Sequence, residues 1–136
     1  MLRPGDAFER YTIEALIGQG GMGCVYRAYD PRLGRRVALK VISEGSAHAP
    51  AAANARLVRE ARAAAAFDHP NAVAIFDVGE REGAPYIVME LVEGRTLRRA
   101  AGDAALPVPA RIAQLSGVAL ALAAAHKRGL VHRDIK

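Results

Sequence analysis

The sequence predicts an α+β fold: a five-stranded antiparallel sheet with one helix inserted, and further helices behind it. Three observations predict it. Between residues 11 and 42, three stretches rich in β-branched and aromatic residues are joined by short Gly- and Pro-containing turns, the pattern of an antiparallel meander. An Ala- and Arg-rich stretch, residues 54–66, interrupts the series with helical composition before two more strand-like stretches. Residues 107–127 then turn apolar and helical.

Each element has its own justification. Residues 11–18, "YTIEALIG", alternate and end in glycine, which gives the first strand. Residues 24–29, "CVYRAY", give the second, and "DPRLG" makes the turn after it. In residues 36–42, "RVALKVI", Val37, Leu39 and Val41 share one face of the third strand. Residues 43–53 are small and polar, hence a loop. Asn54 is the expected helix cap. "DHPN" ends the helix, because the residue before Pro avoids helical torsions. Residues 73–78 and 85–91 are two more strands around "GEREGA". "VEGRTL" connects to a short helix, and the long helix at 107–127 is stopped by Gly129.

Composition narrows the function classes. The chain has 136 residues, a length typical of one domain, and half of it is apolar, enough for a sizeable core. The net charge is +5, and 16 of the 19 basic residues are Arg. They are scattered, adjacent only at Arg35-Arg36 and Arg98-Arg99 among the arginines, and no Trp is present. That argues for a solvated basic surface against a nucleic-acid groove and leaves polyanions such as nucleotide phosphates open. The single Cys24 permits no disulfide within the chain. The start, "MLRPGDAFERY", lacks the apolar run of a secretory signal. The longest unbroken apolar stretch, residues 118–125, is far below the roughly 18 residues of a membrane span. The expected location is cytoplasmic, with a membrane anchor elsewhere in a longer chain left open.

"IGQGGMGCVY" places Gly18, Gly20 and Gly23 in a G-x-G-x-x-G array. Such glycines let backbone N–H groups approach phosphate oxygens, although a Gly-rich hairpin turn has the same look. A dinucleotide-binding loop opens into a helix, whereas "CVYRAY" favours a strand. A Walker loop ends in Gly-Lys-Ser/Thr, and no such triplet exists. What remains is a strand–glycine turn–strand lid. It calls for a cation on the next strand, where Lys40 stands, one of only three lysines. Ala38 and Lys40 share a face, and small Ala38 leaves space for a flat ring. A lysine among apolar strands needs an opposite charge, and Glu60 is the candidate, on the inward side of a stripe with Leu57, Ala61 and Ala64. An intrahelical pair with Arg56 or Arg59 is the competing reading for Glu60.

With "VALK", Glu60, "HPN", "YIVMELVEGRTL" and "HRDIK" following the glycine array in order, the chain resembles a protein kinase from Tyr11 onward. The wording is closest to bacterial eukaryotic-like Ser/Thr protein kinases. The resemblance implies a kinase N-lobe with hinge over residues 11–93, a lead-in at 1–10 and the start of a helical C-lobe at 94–136. It implies that Gly18, Gly20, Gly21 and Gly23 form the lid over the ATP phosphates. Ile17 and Val25 roof the adenine, and Ala38 touches it. Lys40 binds the α- and β-phosphates with Glu60 as partner. Met89 is the gatekeeper, Glu90 to Val92 the hinge, and Glu93 a ribose-side acid. Asp134 accepts the substrate hydroxyl proton, and Lys136, a sign of Ser/Thr specificity, neutralises the γ-phosphate. Arg133 resembles the arginine that pairs with a phosphorylated activation loop. His132, His69 and His126 read as structural, and the four histidines make no metal cluster.

ATP and Mg²⁺ are the implied cofactors and Ser/Thr-bearing proteins the implied substrates. The family's Mg²⁺-holding Asn and Asp-Phe-Gly lie past Lys136, so the expectation is a fragment inactive alone. The long helix, apolar nearly all round after Val118, points the same way. The rival reading is a non-catalytic nucleotide-binding module, or one that pairs two N-lobes and regulates a full kinase. Nucleic-acid binding ranks below both.

Overall fold

A computed structural model describes residues 1–21, 23–42, 51–102 and 105–131, with only the backbone described at 51–57 and 101. Asp134 and Lys136, with His132 and Arg133, therefore lie outside the described residues. Two compact units are present: Met1–Ala66 with Ala74–Leu91, and Phe67–Val73 with Val92–Lys136.

The first unit is a six-stranded antiparallel sheet and a helix. Its strands are β1 (Ala7–Phe8), β2 (Tyr11–Gly20), β3 (Gly23–Asp30), β4 (Arg35–Val41), β5 (Ile75–Arg81) and β6 (Ala84–Glu90). They lie in the order β1-β2-β3-β4-β6-β5. The five expected strands are all present, each within a few residues of its expected limits. The addition is β1, which a two-residue run in "GDAFERY" does not announce. It pairs Ala7 with Thr12 and Phe8 with Tyr11. Helix α1 (Ala51–Ala65) packs along β5 and β6. It starts before Asn54, which falls inside the helix and not at its cap.

The sheet curls until its two edges meet through side chains. The Tyr11 hydroxyl on β2 donates to Asp77 Oδ2 on β5 at 3.1 Å, and Arg10 Nη1 reaches the same oxygen at 2.9 Å. Arg81 Nη1 on β5 donates to the Ala7 carbonyl on β1 at 3.1 Å. Inside the curl lie Phe8, Tyr11, Ile13, Tyr26, Ala28, Val37, Leu39, Tyr86 and Val88. Fully burying a large apolar side chain contributes about 1.5–3 kcal/mol, so this face holds most of the unit's stability. Gly79 is part of the packing: a Cβ there would run into the Tyr86 ring, its cross-strand partner.

Asp30 closes the β3–β4 turn. Its Oδ1 accepts the N–H groups of Arg32 (2.9 Å) and Leu33 (3.3 Å), and Oδ2 accepts Arg10 Nε (3.3 Å). Gly34 follows at φ +61°, a left-handed torsion that suits glycine.

In the second unit, α2 (Leu97–Ala101) is capped by the Thr96 side chain, which accepts the Arg99 N–H. Helix α3 (Val108–Lys127) ends where Gly129, at φ +73°, donates to His126 and Leu130 donates to Ala125, a Schellman stop. The "HPN" loop packs along α3, with Asn71 so near Gly117 that a Cβ would touch it at 3.0 Å. His69 Nδ1 accepts the Asn71 N–H, and its ring stacks on Phe67. By length and mean composition α3 is apolar enough to cross a membrane, which counting unbroken apolar residues misses because Gln114, Ser116 and Gly117 interrupt it. None of its residues is buried.

Candidate functional site

The face of the sheet turned away from the core carries Gly18, Val25, Ala38, Lys40 and Met89, whereas Glu60 stands on α1. Strand β2 runs directly into β3 through the glycine turn, with Gly20 opposite Gly23, Gln19 opposite Cys24 and Gly18 opposite Val25. The glycine array is therefore a strand–turn–strand hairpin. Val25 pairs with Lys40, Lys40 with Ile87, and Ile87 with Val78, so one rung runs from Gly18 through Lys40 across five strands. The next rung on the same face, two residues along β4, reads Ala15, Arg27, Ala38, Met89, Ile75. Alternation on β4 buries Val37 and Leu39 in the core, so Ala38 and Lys40 occupy the opposite face. Lys40 is half-buried and Ala38 is 6 % exposed.

Strict alternation would place Ile13, Ala15 and Ile17 on one face. Two β-bulges in β2 prevent that. Ile13 pairs with Ala28 and Ala15 with Arg27, Leu16 with Tyr26 and Gly18 with Val25, leaving Glu14 and Ile17 as the inserted residues. Each insertion inverts the face. Ile13 points into the core while Ala15 shares the Arg27 face, and Gly18 shares the Val25 face. Ile17, 49 % exposed, stands at the second inversion beside Gly18. An unbroken strand would have sent it to the same side as Tyr11. Nothing in "YTIEALIG" itself marks these insertions, because they are defined by the register against β3.

The glycines differ in what demands them. Gly23 has φ +128°, which favours glycine on backbone grounds alone. Gly20 and Gly21 have no such torsion, and among the described residues a Cβ on either would meet nothing within 4 Å. Cys24 is half-buried against the core on the far face, in keeping with a strand residue.

At the other end of this face, Met89 is half-buried and Glu90 exposed at the end of β6. The Glu90 N–H donates to the Ala74 carbonyl at 2.8 Å, and its carboxylate accepts the Ala74 N–H at 3.3 Å. Val92 and Glu93, both exposed, belong to the second unit. On α1 the buried position is taken by Ala61, with Val58 and Ala64 half-buried; Glu60 is exposed. The inward seat expected for Glu60 goes to its neighbour, because about 100° per residue separates them. Among the described residues no group of three His, Cys, Asp or Glu could hold a metal ion.

Electrostatically the face is organised by Glu14. Its carboxylate binds Arg36 Nε (3.0 Å to Oε1, 2.9 Å to Oε2) and Arg27 Nε (2.9 Å to Oε2). The Arg36 hydrogen bond, joined by the charge of Arg27, holds this carboxyl below its ordinary range. Across the sheet, burial alone would push the Asp30 carboxyl up. The Arg32 N–H, the Arg10 guanidinium and the Leu33 N–H outweigh that and hold it low. Neither network was visible in the sequence, which shows only an Asp before a Pro and charges scattered along strands.

A curled antiparallel sheet with one packed helix, a glycine hairpin and a half-buried lysine on the next strand is the small-lobe architecture of phosphoryl-transfer enzymes. The protein kinase domain model matches residues 11–136, and the chain belongs to that family. It is 43 % identical to a probable serine/threonine-protein kinase of Streptomyces coelicolor over 93 % of its length, and 42 % identical to the serine/threonine-protein kinase PknJ of Mycobacterium tuberculosis over 99 %. Among solved structures, the M. tuberculosis PknI kinase domain superposes over the whole chain with a TM-score of 0.84 at 37 % identity. The chain spans 20 % and 23 % of the two curated relatives' lengths and 55 % of the solved domain.

Proposed function

We propose that this chain supplies the ATP-binding lobe of a serine/threonine protein kinase, which moves the γ-phosphoryl group of ATP to Ser or Thr hydroxyls of protein substrates. One observation carries the reading: Lys40 shares a rung with Gly18 and Val25 beneath a glycine hairpin, on the face of the sheet left free of the core. The chemistry suits a nucleotide. Val25 and Ala38 offer a flat apolar seat with Ile17 above it. The half-buried Lys40 ammonium offers a cation to α- and β-phosphate oxygens. The bare backbone at Gly20 and Gly21, which the fold itself does not require, lets N–H groups come close to phosphate. The Glu90 N–H is committed to Ala74, so an adenine hydrogen bond at Glu90 falls to its carbonyl.

Glu60 is assigned as the partner of Lys40. It stands on the helix that packs along β6, the strand next to Lys40. Met89 bounds the seat beside Ala38. Val92 serves as the following hinge residue and Glu93 as the ribose-side acid. Asp134 accepts the hydroxyl proton, and Lys136 neutralises the transferred phosphoryl. Mg²⁺ bound with the nucleotide would supply further charge neutralisation at the phosphates that Lys40 is proposed to meet. The 136 residues contain no Asp-Phe-Gly, and alone they are expected to transfer no phosphate. ATP supply places the reaction in the cytoplasm.

The test is Lys40→Met in the full-length protein that carries these residues. Loss of one phosphate-binding cation is expected to lower the transfer rate by about 10²–10³-fold. Undiminished incorporation of labelled phosphate would remove Lys40 from the mechanism.

A further inference from the structure

We propose that Glu14 is a positioning residue for the glycine hairpin, one that ties β2, β3 and β4 together and thereby fixes where Ile17 and Gly18 stand over Ala38 and Lys40. The inference rests on the nucleotide reading of that face and adds a residue to it.

Three observations converge on Glu14. It is the inserted residue of the first β-bulge, three residues before the inserted Ile17 of the second, with only Ala15 and Leu16 in regular register between them. Bulges re-aim side chains and twist a strand locally. A bulge held at one end fixes the path of a short segment leading to the next. Second, a single carboxylate joins three strands: it comes from β2 and meets Arg27 of β3 and Arg36 of β4. Arg27 is the cross-strand partner of Ala38, and Arg36 lies two residues before Ala38 on the same strand. The strap therefore sits directly beside the proposed adenine seat. Third, the carboxylate is the most covered member of the cluster, its side chain 24 % exposed against 45 % for Arg27 and 61 % for Arg36. It also engages the Arg27 guanidinium, at 2.9 Å from Nε to Oε2. Arg27 shares a face with Val25 and Ala38, where a swinging cation would compete for the seat.

Solvent-accessible ion pairs add little to folding stability. Geometry is a different matter, since small misplacements of a binding group cost much in rate. The two roles thus separate in measurement: a positioning role moves nucleotide affinity without moving the unfolding midpoint.

The experiment is Glu14→Gln in the full-length protein, with Arg27→Gln and the double variant completing a cycle. Expected is a rise of about three- to tenfold in KM for ATP, with kcat within about twofold and an unchanged urea midpoint. The double variant is expected to be no worse than Glu14→Gln alone. Should Glu14→Gln not fold, Arg36→Gln keeps the Arg27 contact and is expected to raise KM by a smaller factor. A KM within about twofold of wild type in a folded Glu14→Gln protein, or an unchanged KM in Arg36→Gln where Glu14→Gln does not fold, overturns the proposal. So does a KM change that follows the urea midpoint, or strict additivity in the cycle. Absence of any ATP-dependent transfer by the wild-type protein would remove the nucleotide reading itself, and this role with it, and that result is distinct from a wild type that works beside an indifferent variant.

Discussion

The two faces of one sheet obey different rules. The inner face is closed: Tyr11, Ile13, Leu39, Val37 and Val88 are almost wholly buried, and the sheet curls around them until Asp77 and Arg81 reach the opposite edge. The outer face is open and irregular. It carries exposed Ile17, half-buried Lys40, Gly20 and Gly21 with no described residue within 4 Å of an added Cβ, and an ion cluster across three strands. One face holds the fold together, and the other is shaped by departures from regular pairing. Regular alternation lets β4 serve both faces, whereas in β2 the two bulges are what turn Ala15 and Gly18 to the open face.

Substitutions on the two faces sharpen this contrast. The largest stability effect is expected for Leu39→Ala, which opens a cavity in the closed face and costs about 2–5 kcal/mol. Ile17→Ala on the open face is expected to shift stability by no more than about 0.5 kcal/mol while weakening ATP binding. Urea unfolding and nucleotide titration of both proteins check the pair. Equal losses of stability would break the division between faces.

A smaller, pH-dependent effect is expected at the edge of the closed face. The folded Asp30 carboxyl lies below its unfolded value of about 3.9. Its contribution is therefore full above about pH 5 and is lost as pH falls through the unfolded and then the lower folded value. Asp30→Asn keeps an oxygen for the Arg32 and Leu33 amides but loses the charge facing Arg10, a cost of about 1–2 kcal/mol at pH 7. Urea midpoints of wild type and variant are expected to differ at pH 7 and to converge below about pH 4. A constant difference across that range would assign the effect to shape and not to charge.

How legible each face was follows from the same physics. Alternation in "RVALKVI" separates Val37 and Leu39 from Ala38 and Lys40 without any coordinates, and the strand stands as read. Gly129 announced the end of α3 because a Schellman stop demands a left-handed residue. The bulges at Glu14 and Ile17 left no trace in "YTIEALIG", since an inserted residue is defined by the partner strand's register, not by its own side chain. Arg10, Asp77 and Arg81 were invisible for a similar reason: they meet only because the sheet curls. Strand β1 is too short to carry a pattern, and Asn54 lost the cap position because helix α1 begins earlier.

In the proposed site the Lys40 ammonium lies against nucleotide oxygens under the hairpin. An amine-acylating reagent applied to the full-length protein with and without ATP, read by peptide mass spectrometry, measures this directly, with Lys127 of α3 as internal control. ATP is expected to suppress acylation of Lys40 and to leave that of Lys127 unchanged. Equal labelling of Lys40 at saturating and zero ATP would contradict it.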